Sequence, residues 1–203
     1  ITASYFGAND EKNLKKSIGN SILLGIGTAI VISAVSLCFL SPILQALNIS
    51  PELLPSARSY ISIILAGLLA PTLYNLCASI LRAMGDSFTP LIFLIVSTIL
   101  NIFLDYLFIL SFHMGVAGAS LATVISQIVS AVLCLLYIKK KYPQLILEKS
   151  DFHLDKKLSG LLLNRGFSMA FMSAFVYLGT VALQTCINSF GTNIIVAHTR
   201  TPH

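Results

Sequence analysis

Five stretches of this chain carry no charged side chain: residues 17–51, 59–81, 87–104, 106–138 and 166–199. A helix rising about 1.5 Å per residue needs about 20 apolar residues to cross a bilayer. The stretches accommodate five such spans, at residues 20–40, 59–81, 89–111, 116–138 and 167–190. Inside hydrocarbon no water satisfies an open strand edge, so each span has to be helical. The expected class is all-α, a polytopic membrane protein with five transmembrane helices. Composition agrees: 10% of residues are charged, where a soluble domain has about 25%.

The basic residues are distributed by side. Taking the loops in alternation, one side carries Lys12, Lys15, Lys16, Arg82, Lys139, Lys140, Lys141, Lys149, Lys156, Lys157 and Arg165, and the other only Arg58 and Arg200. The positive-inside rule places the rich side in the cytoplasm. The net charge of +5 is thus a topology signal, not a nucleic-acid footprint, and the expected location is the cell (plasma or inner) membrane, multi-pass. Cys38, Cys77, Cys134 and Cys186 all fall in spans with no CxxC spacing and read as small apolar filler. His113, His153 and His198 lie at loops or helix ends, without the spacing of a metal site. No cofactor is expected.

Punctuation residues shape the spans. In the first, Ser21, Gly25 and Thr28 put small residues on one side, where helices approach closely. Pro42, Pro51 and Pro55 mark turns in an outer loop at 41–58. Pro71 in the second span frees a carbonyl one turn back and predicts a kink, followed by Tyr74 and Asn75. Arg82-Ala83-Met84-Gly85 reads as a helix end and Asp86-Ser87-Phe88-Thr89-Pro90 as a restart, with Thr89 the expected N-cap and Pro90 the first helical residue.

The third span holds the most informative residue. Between Ser87 and Ile138, Asp105 is the only charged side chain. An Asp at a helix centre costs about 2.5–3.5 kcal/mol to insert, so such residues usually face a bundle interior or a wet cavity. Ser97, Asn101 and Asp105 form a polar stripe at i, i+4, i+8. The negative end of the helix dipole and the loss of hydration both disfavour a charged carboxylate there. Thr123, Gln127 and Ser130 make a second stripe on the next span, which turns straight back at Gly115–Ser120 and could bring Thr123 beside Asp105. A third stripe, Ser173, Tyr177, Thr180, Gln184 and Asn188, lies on the last span.

Arg82-Ala83-Met84-Gly85-Asp86-Ser87-Phe88-Thr89-Pro90, the Asn101-x-x-x-Asp105 pair and His113-Met114-Gly115-Val116-Ala117-Gly118-Ala119 together resemble the multidrug and toxic compound extrusion (MATE) transporters. The sequence looks most like the bacterial branch that includes the DNA-damage-inducible F proteins. The resemblance runs from about Ile1 to Thr199 and takes in Tyr5-Phe6-Gly7-Ala8 and Ile187-Asn188-Ser189-Phe190-Gly191-Thr192. It implies a twelve-helix, two-bundle fold with a central cavity. Residues 1–138 would be helices three to six of the first bundle, 139–165 the cytoplasmic linker between bundles, and 166–203 the first helix of the second bundle. The residues Arg200-Thr201-Pro202-His203 depart from the family pattern, and a fragment of a longer protein is expected.

By this resemblance the function is secondary antiport: export of lipophilic or cationic drugs or toxic compounds in exchange for H⁺ or Na⁺. Asp105, Asn101 and Thr123 would bind the coupling cation and serve either ion; a helix-one acid would lie upstream of Ile1. Tyr74, Asn75, Ser97, Gln127, Tyr177, Gln184 and Asn188 are weaker candidates for the substrate cavity. Expected partners are membrane lipid, a drug-like small molecule and the remaining helices, with no nucleic acid. A lipid-linked oligosaccharide flippase of the same superfamily is the alternative, though it should hold pyrophosphate with cavity Arg or Lys, which the spans lack. A membrane-embedded enzyme would want two carboxylates, a Ser/His pair or a metal cluster, and the spans offer one carboxylate and no His.

Overall fold

A computed structural model describes residues 2–46, 52–145, 147–148 and 151–189, with the backbone alone for residues 46, 181 and 184–189. Among the described residues eight α-helices follow one another: α1 (Thr2–Gly7), α2 (Glu11–Cys38), α3 (Leu40–Ala46), α4 (Leu54–Ala66), α5 (Leu69–Ala83), α6 (Phe88–Tyr106), α7 (Gly115–Lys141) and α8 (Lys156–Ser189). A π turn, Leu107–Ser111, extends α6, and a 3₁₀ turn, Pro143–Leu145, follows α7. Among the described residues, four segments are long and apolar enough to cross a membrane: Glu11–Cys38, Phe88–Ser111, Gly115–Lys141 and Lys156–Thr180. The pair α4 and α5 makes a fifth if counted as one span bent by 42°.

The bend has a local cause. Pro71 has no N–H to give the carbonyl of Gly67, one turn before it. That carbonyl instead accepts from Ala70 at 3.0 Å, and the helix breaks at Gly67 and Leu68. Glycine at the break also admits a neighbour, because a Cβ at Gly67 would run into the Val124 side chain of α7.

Two ends differ from expectation. Helix α2 begins well before residue 20, because Asp10 caps it: its carboxylate accepts from the Asn13 backbone N–H at 3.2 Å and the Asn13 side chain at 2.6 Å. Lys12, Lys15 and Lys16 therefore sit on helical turns and not in a loop. The stretch 41–58 contains α3 and the start of α4, with Pro55 in the first turn of α4, so it is more helical than its prolines suggested.

Residues Ile1–Asp155 and Lys156–His203 form separate compact units. In the first, α7 is the hub, contacted by α4, α5 and α6, while α2 lies against α5. The interior mixes small and polar groups with larger apolar ones such as Leu44 and Leu81. Ala78, Ala122, Cys134, Ser17, Asn20, Ser120 and Ser130 are fully buried. The large apolar side chains of α6, including Leu91, Ile95, Ile99, Ile102 and Phe103, point outward and are exposed. A soluble protein does the reverse. Lipid tails are as apolar as leucine, so membrane helices associate through close packing of small residues and interhelical hydrogen bonds. Several bonds of that kind are present among the described residues. Ser97 Oγ donates to the Ser126 carbonyl at 2.8 Å, Ser130 Oγ to Phe93 at 3.2 Å, and Ser33 Oγ to Leu65 at 2.7 Å. Gly25 works with them, since a Cβ there would sit 2.8 Å from the Leu76 side chain of α5. In the second unit α8 is one long helix, with Phe167, Met169, Phe171, Met172, Phe175 and Val176 exposed.

Candidate functional site

The acid at the centre of the argument lies in the last turn of α6, just before the helix widens. Asp105 and Tyr106 precede the π turn, in which the Phe112 N–H reaches back five residues to the Leu107 carbonyl at 3.1 Å. Such widenings occur often at functional sites. The following turn reverses the chain with His113 and Gly115 at positive φ, +52° and +55°. Gly118 then lets α7 start against the π turn, where a Cβ would approach that of Phe108 to 2.9 Å.

Asp105 is half-buried, and its Oδ1 is buried with no hydrogen-bond partner. It is the one side-chain oxygen or nitrogen in that condition among the described residues. A buried polar atom without a partner is costly, so this oxygen is chemically suited to a proton or a cation. One turn earlier, Asn101 Nδ2 reaches Thr123 Oγ1 of α7 at 3.5 Å, the outer limit of a hydrogen bond. Thr123 donates to the Ala119 carbonyl at 3.0 Å. The structure thus joins Asn101 to Thr123 across α6 and α7, whereas no hydrogen bond joins Thr123 to Asp105. The arrangement offers carboxylate, amide and hydroxyl oxygens along one face of the α6–α7 pair.

The weaker cavity candidates are dispersed. Ser97 is buried between α6 and α7 as interhelical glue. Tyr74 is buried and its hydroxyl donates to the Pro90 carbonyl at 2.9 Å, tying α5 to the start of α6. Asn75 is exposed and returns its amide to the Pro71 carbonyl at 2.8 Å. Gln127 is half-buried on α7, and Tyr177 is exposed on α8. Gln184 and Asn188 fall on α8, but their side chains lie outside the described residues, as does that of Cys186.

A second polar cluster closes the turn between α5 and α6. Gly85 takes φ +86°; its N–H donates to Arg82 at 3.1 Å and that of Asp86 to Leu81 at 2.9 Å. This is a Schellman ending. The side chain that caps the start of α6 comes from Asp86, one residue ahead of the N-cap position Ser87, and not from Thr89. The Asp86 carboxylate accepts from the Thr89 backbone N–H at 3.1 Å and its hydroxyl at 2.9 Å. Pro90 accordingly sits third in the helix, where its missing N–H still costs nothing. Lys141 Nζ, 2.8 Å away, and the Tyr137 hydroxyl, 3.0 Å away, also donate to Asp86. The Lys141 ammonium above all, with the Thr89 and Tyr137 donors, holds the Asp86 carboxyl far below the usual carboxylate range. The sequence marked this stretch as a turn, but the partners 51 and 55 residues away were out of reach of local pattern.

The family model described as MatE matches residues 1–107, more than half of the chain. The chain belongs to the MatE family. A Bacillus subtilis relative, the probable multidrug resistance protein YpnP, is 32% identical over 197 residues, covering 96% of this chain and 43% of that protein. The DNA damage-inducible protein F of Escherichia coli is 32% identical over 142 residues, 69% of this chain and 30% of its own. Among solved structures, MATE in complex with MaD5 superposes with a TM-score of 0.88 at 22% identity, covering 98% of this chain and 45% of that one. The Vibrio cholerae MATE transporter VcmN in its bent form gives 0.84 at 23% identity with the same coverage. At those identities the structures speak to fold alone. This MatE chain, a multi-pass membrane protein, spans less than half the length of the curated relatives it matches.

Proposed function

We propose that this chain is part of a secondary antiporter that exports lipophilic or cationic compounds in exchange for H⁺ or Na⁺, with Asp105 as the coupling residue. The observation that carries the reading is the buried, unpartnered Oδ1 of Asp105 one helical turn from the Asn101–Thr123 pair. A proton converts that oxygen into a neutral group; Na⁺ would use it with the Asn101 and Thr123 oxygens as ligands. Either event removes an uncompensated charge from the apolar end of α6 and so changes the relative free energy of its packing arrangements. A ligand shifts a conformational equilibrium only by its differential affinity for the two states, and a carboxylate whose surroundings change supplies that difference. The names of the relatives, multidrug resistance proteins, support the substrate class.

The test uses the full-length transporter in proteoliposomes, wild type beside Asp105→Asn, with dye movement driven by an imposed H⁺ or Na⁺ gradient. Transport by wild type and its loss in a normally inserted Asp105→Asn protein is the expected result, and the gradient that drives it names the ion. Equal transport by both proteins overturns the assignment of Asp105.

A further inference from the structure

Asn20 is the largest fully buried polar side chain of the first unit, and its partners lie far away in sequence. Its Nδ2 donates to the Lys16 carbonyl at 2.9 Å and to the His153 carbonyl at 3.0 Å. Its Oδ1 accepts the Asp155 backbone N–H at 3.1 Å. The orientation of the amide is fixed by this set, because the flipped group would face two carbonyls with its oxygen and an N–H with its nitrogen. The neighbouring residue is equally committed. A Cβ on Gly19 would collide with the Asp151 carbonyl, so the chain at Asp151 lies directly on the backbone of α2. Below it, Leu145 is buried with Leu14, Ile18 and Met84, and Leu147 lies against them. Phe152 borders an apolar cavity of about 390 Å³ lined also by Ile18 and Ile22.

We propose that Gly19 and Asn20 form a docking site for the backbone of the segment 151–155, a strap that holds the connection to α8 on the cytoplasmic part of α2. Recognition is of main chain by main-chain-like groups: an amide side chain reads a carbonyl and an N–H two residues apart, and a glycine removes the side chain that would block the approach. The strap therefore belongs to the first unit as far as Asp155.

Amide hydrogen exchange in the full-length protein, in detergent or nanodiscs, tests the strap without any assay of transport. In wild type the Asp155 amide should be protected relative to an open chain. Asn20→Leu, close in volume and without the amide, should speed its exchange roughly tenfold or more, as should Gly19→Val, while α7 amides stay protected. An unprotected Asp155 amide in wild type overturns the proposal. So does unchanged exchange in both variants when α7 is intact. Dye transport by wild type, measured in parallel, reports on the antiport reading separately.

Discussion

At the scale of single residues, the contrast between Asp105 and Asp86 is the instructive one. Both are aspartates on α6 or its doorstep, yet Asp86 has four hydrogen-bond donors and Asp105 Oδ1 has none. The first is fully compensated and structural; the second, on the proposed function, awaits the coupling ion. Thr123→Val should therefore weaken the ion response without abolishing it. It removes the hydroxyl facing Asn101 but leaves the carboxylate, and interhelical polar contacts in membranes are worth about 0.6 kcal/mol. The concentration of H⁺ or Na⁺ giving half-maximal dye transport should rise roughly threefold, one such contact's worth. An effect as complete as that of Asp105→Asn would give Thr123 a larger role. The unsatisfied setting of Asp105 was legible in the sequence, because a lone acid in apolar surroundings is expensive. The setting of Asn20 was not, since an Asn in the first half of α2 looks ordinary until its partners at His153 and Asp155 are placed beside it.

At the scale of elements, the turn between α5 and α6 and the break between α4 and α5 make opposite demands. The turn is over-determined: a Schellman ending, an Asp cap, a lysine and a tyrosine converge on it. Asp86→Ala should lower stability by about 1 kcal/mol, the usual cost of an N-cap truncation. Asp86→Asn, which keeps an acceptor but loses the charge, should cost less. Thermal unfolding of the purified protein in detergent checks both. The pH dependence follows from the sign of the shift. The carboxyl titrates lower in the folded protein than in the unfolded chain, so its stabilisation is complete above about pH 4 and is lost as pH falls through the folded value. Lowering the pH from 7 to 5 should leave this turn intact. The break, by contrast, depends on one missing N–H. Pro71→Ala restores the donor for the Gly67 carbonyl, and the 42° bend should diminish. Spin-label distances between the ends of α4 and α5 would lengthen; an unchanged distance would assign the bend to Gly67 and its contact with Val124. The kink itself was readable from Pro71. The π turn after Tyr106 had no such signature, because Leu107-Phe108-Ile109-Leu110-Ser111 is compatible with an ordinary helix. Its geometry follows from the abrupt reversal at 112–115, which involves residues beyond the segment.

At the scale of the whole molecule, the distribution of side chains makes one orientation in the membrane testable. The first unit buries serines, alanines and an asparagine beside a smaller set of leucines, and α6 shows leucines and isoleucines on its outside, an arrangement that suits a lipid solvent. The basic residues then set the direction. Lys15 and Lys16 near the start of α2, Arg82 at the end of α5 and Lys139–Lys141 at the end of α7 mark the same side by the alternation of spans. Arg58 near the start of α4 marks the other. The bent α4–α5 pair has to count as one crossing for this alternation to hold, since two would reverse every later element. Single-cysteine labelling of intact cells with a membrane-impermeant maleimide decides it, in the full-length protein with its native cysteines replaced by alanine. Ser56→Cys and Lys140→Cys both place a thiol at exposed positions. Ser56→Cys should react from outside, and Lys140→Cys only after the cells are opened. Labelling of both from the same side would mean that α4 and α5 do not form one crossing. Labelling with the sides exchanged would mean that the lysines do not orient this protein, and Asp105 would then lie near the cytoplasmic end of α6.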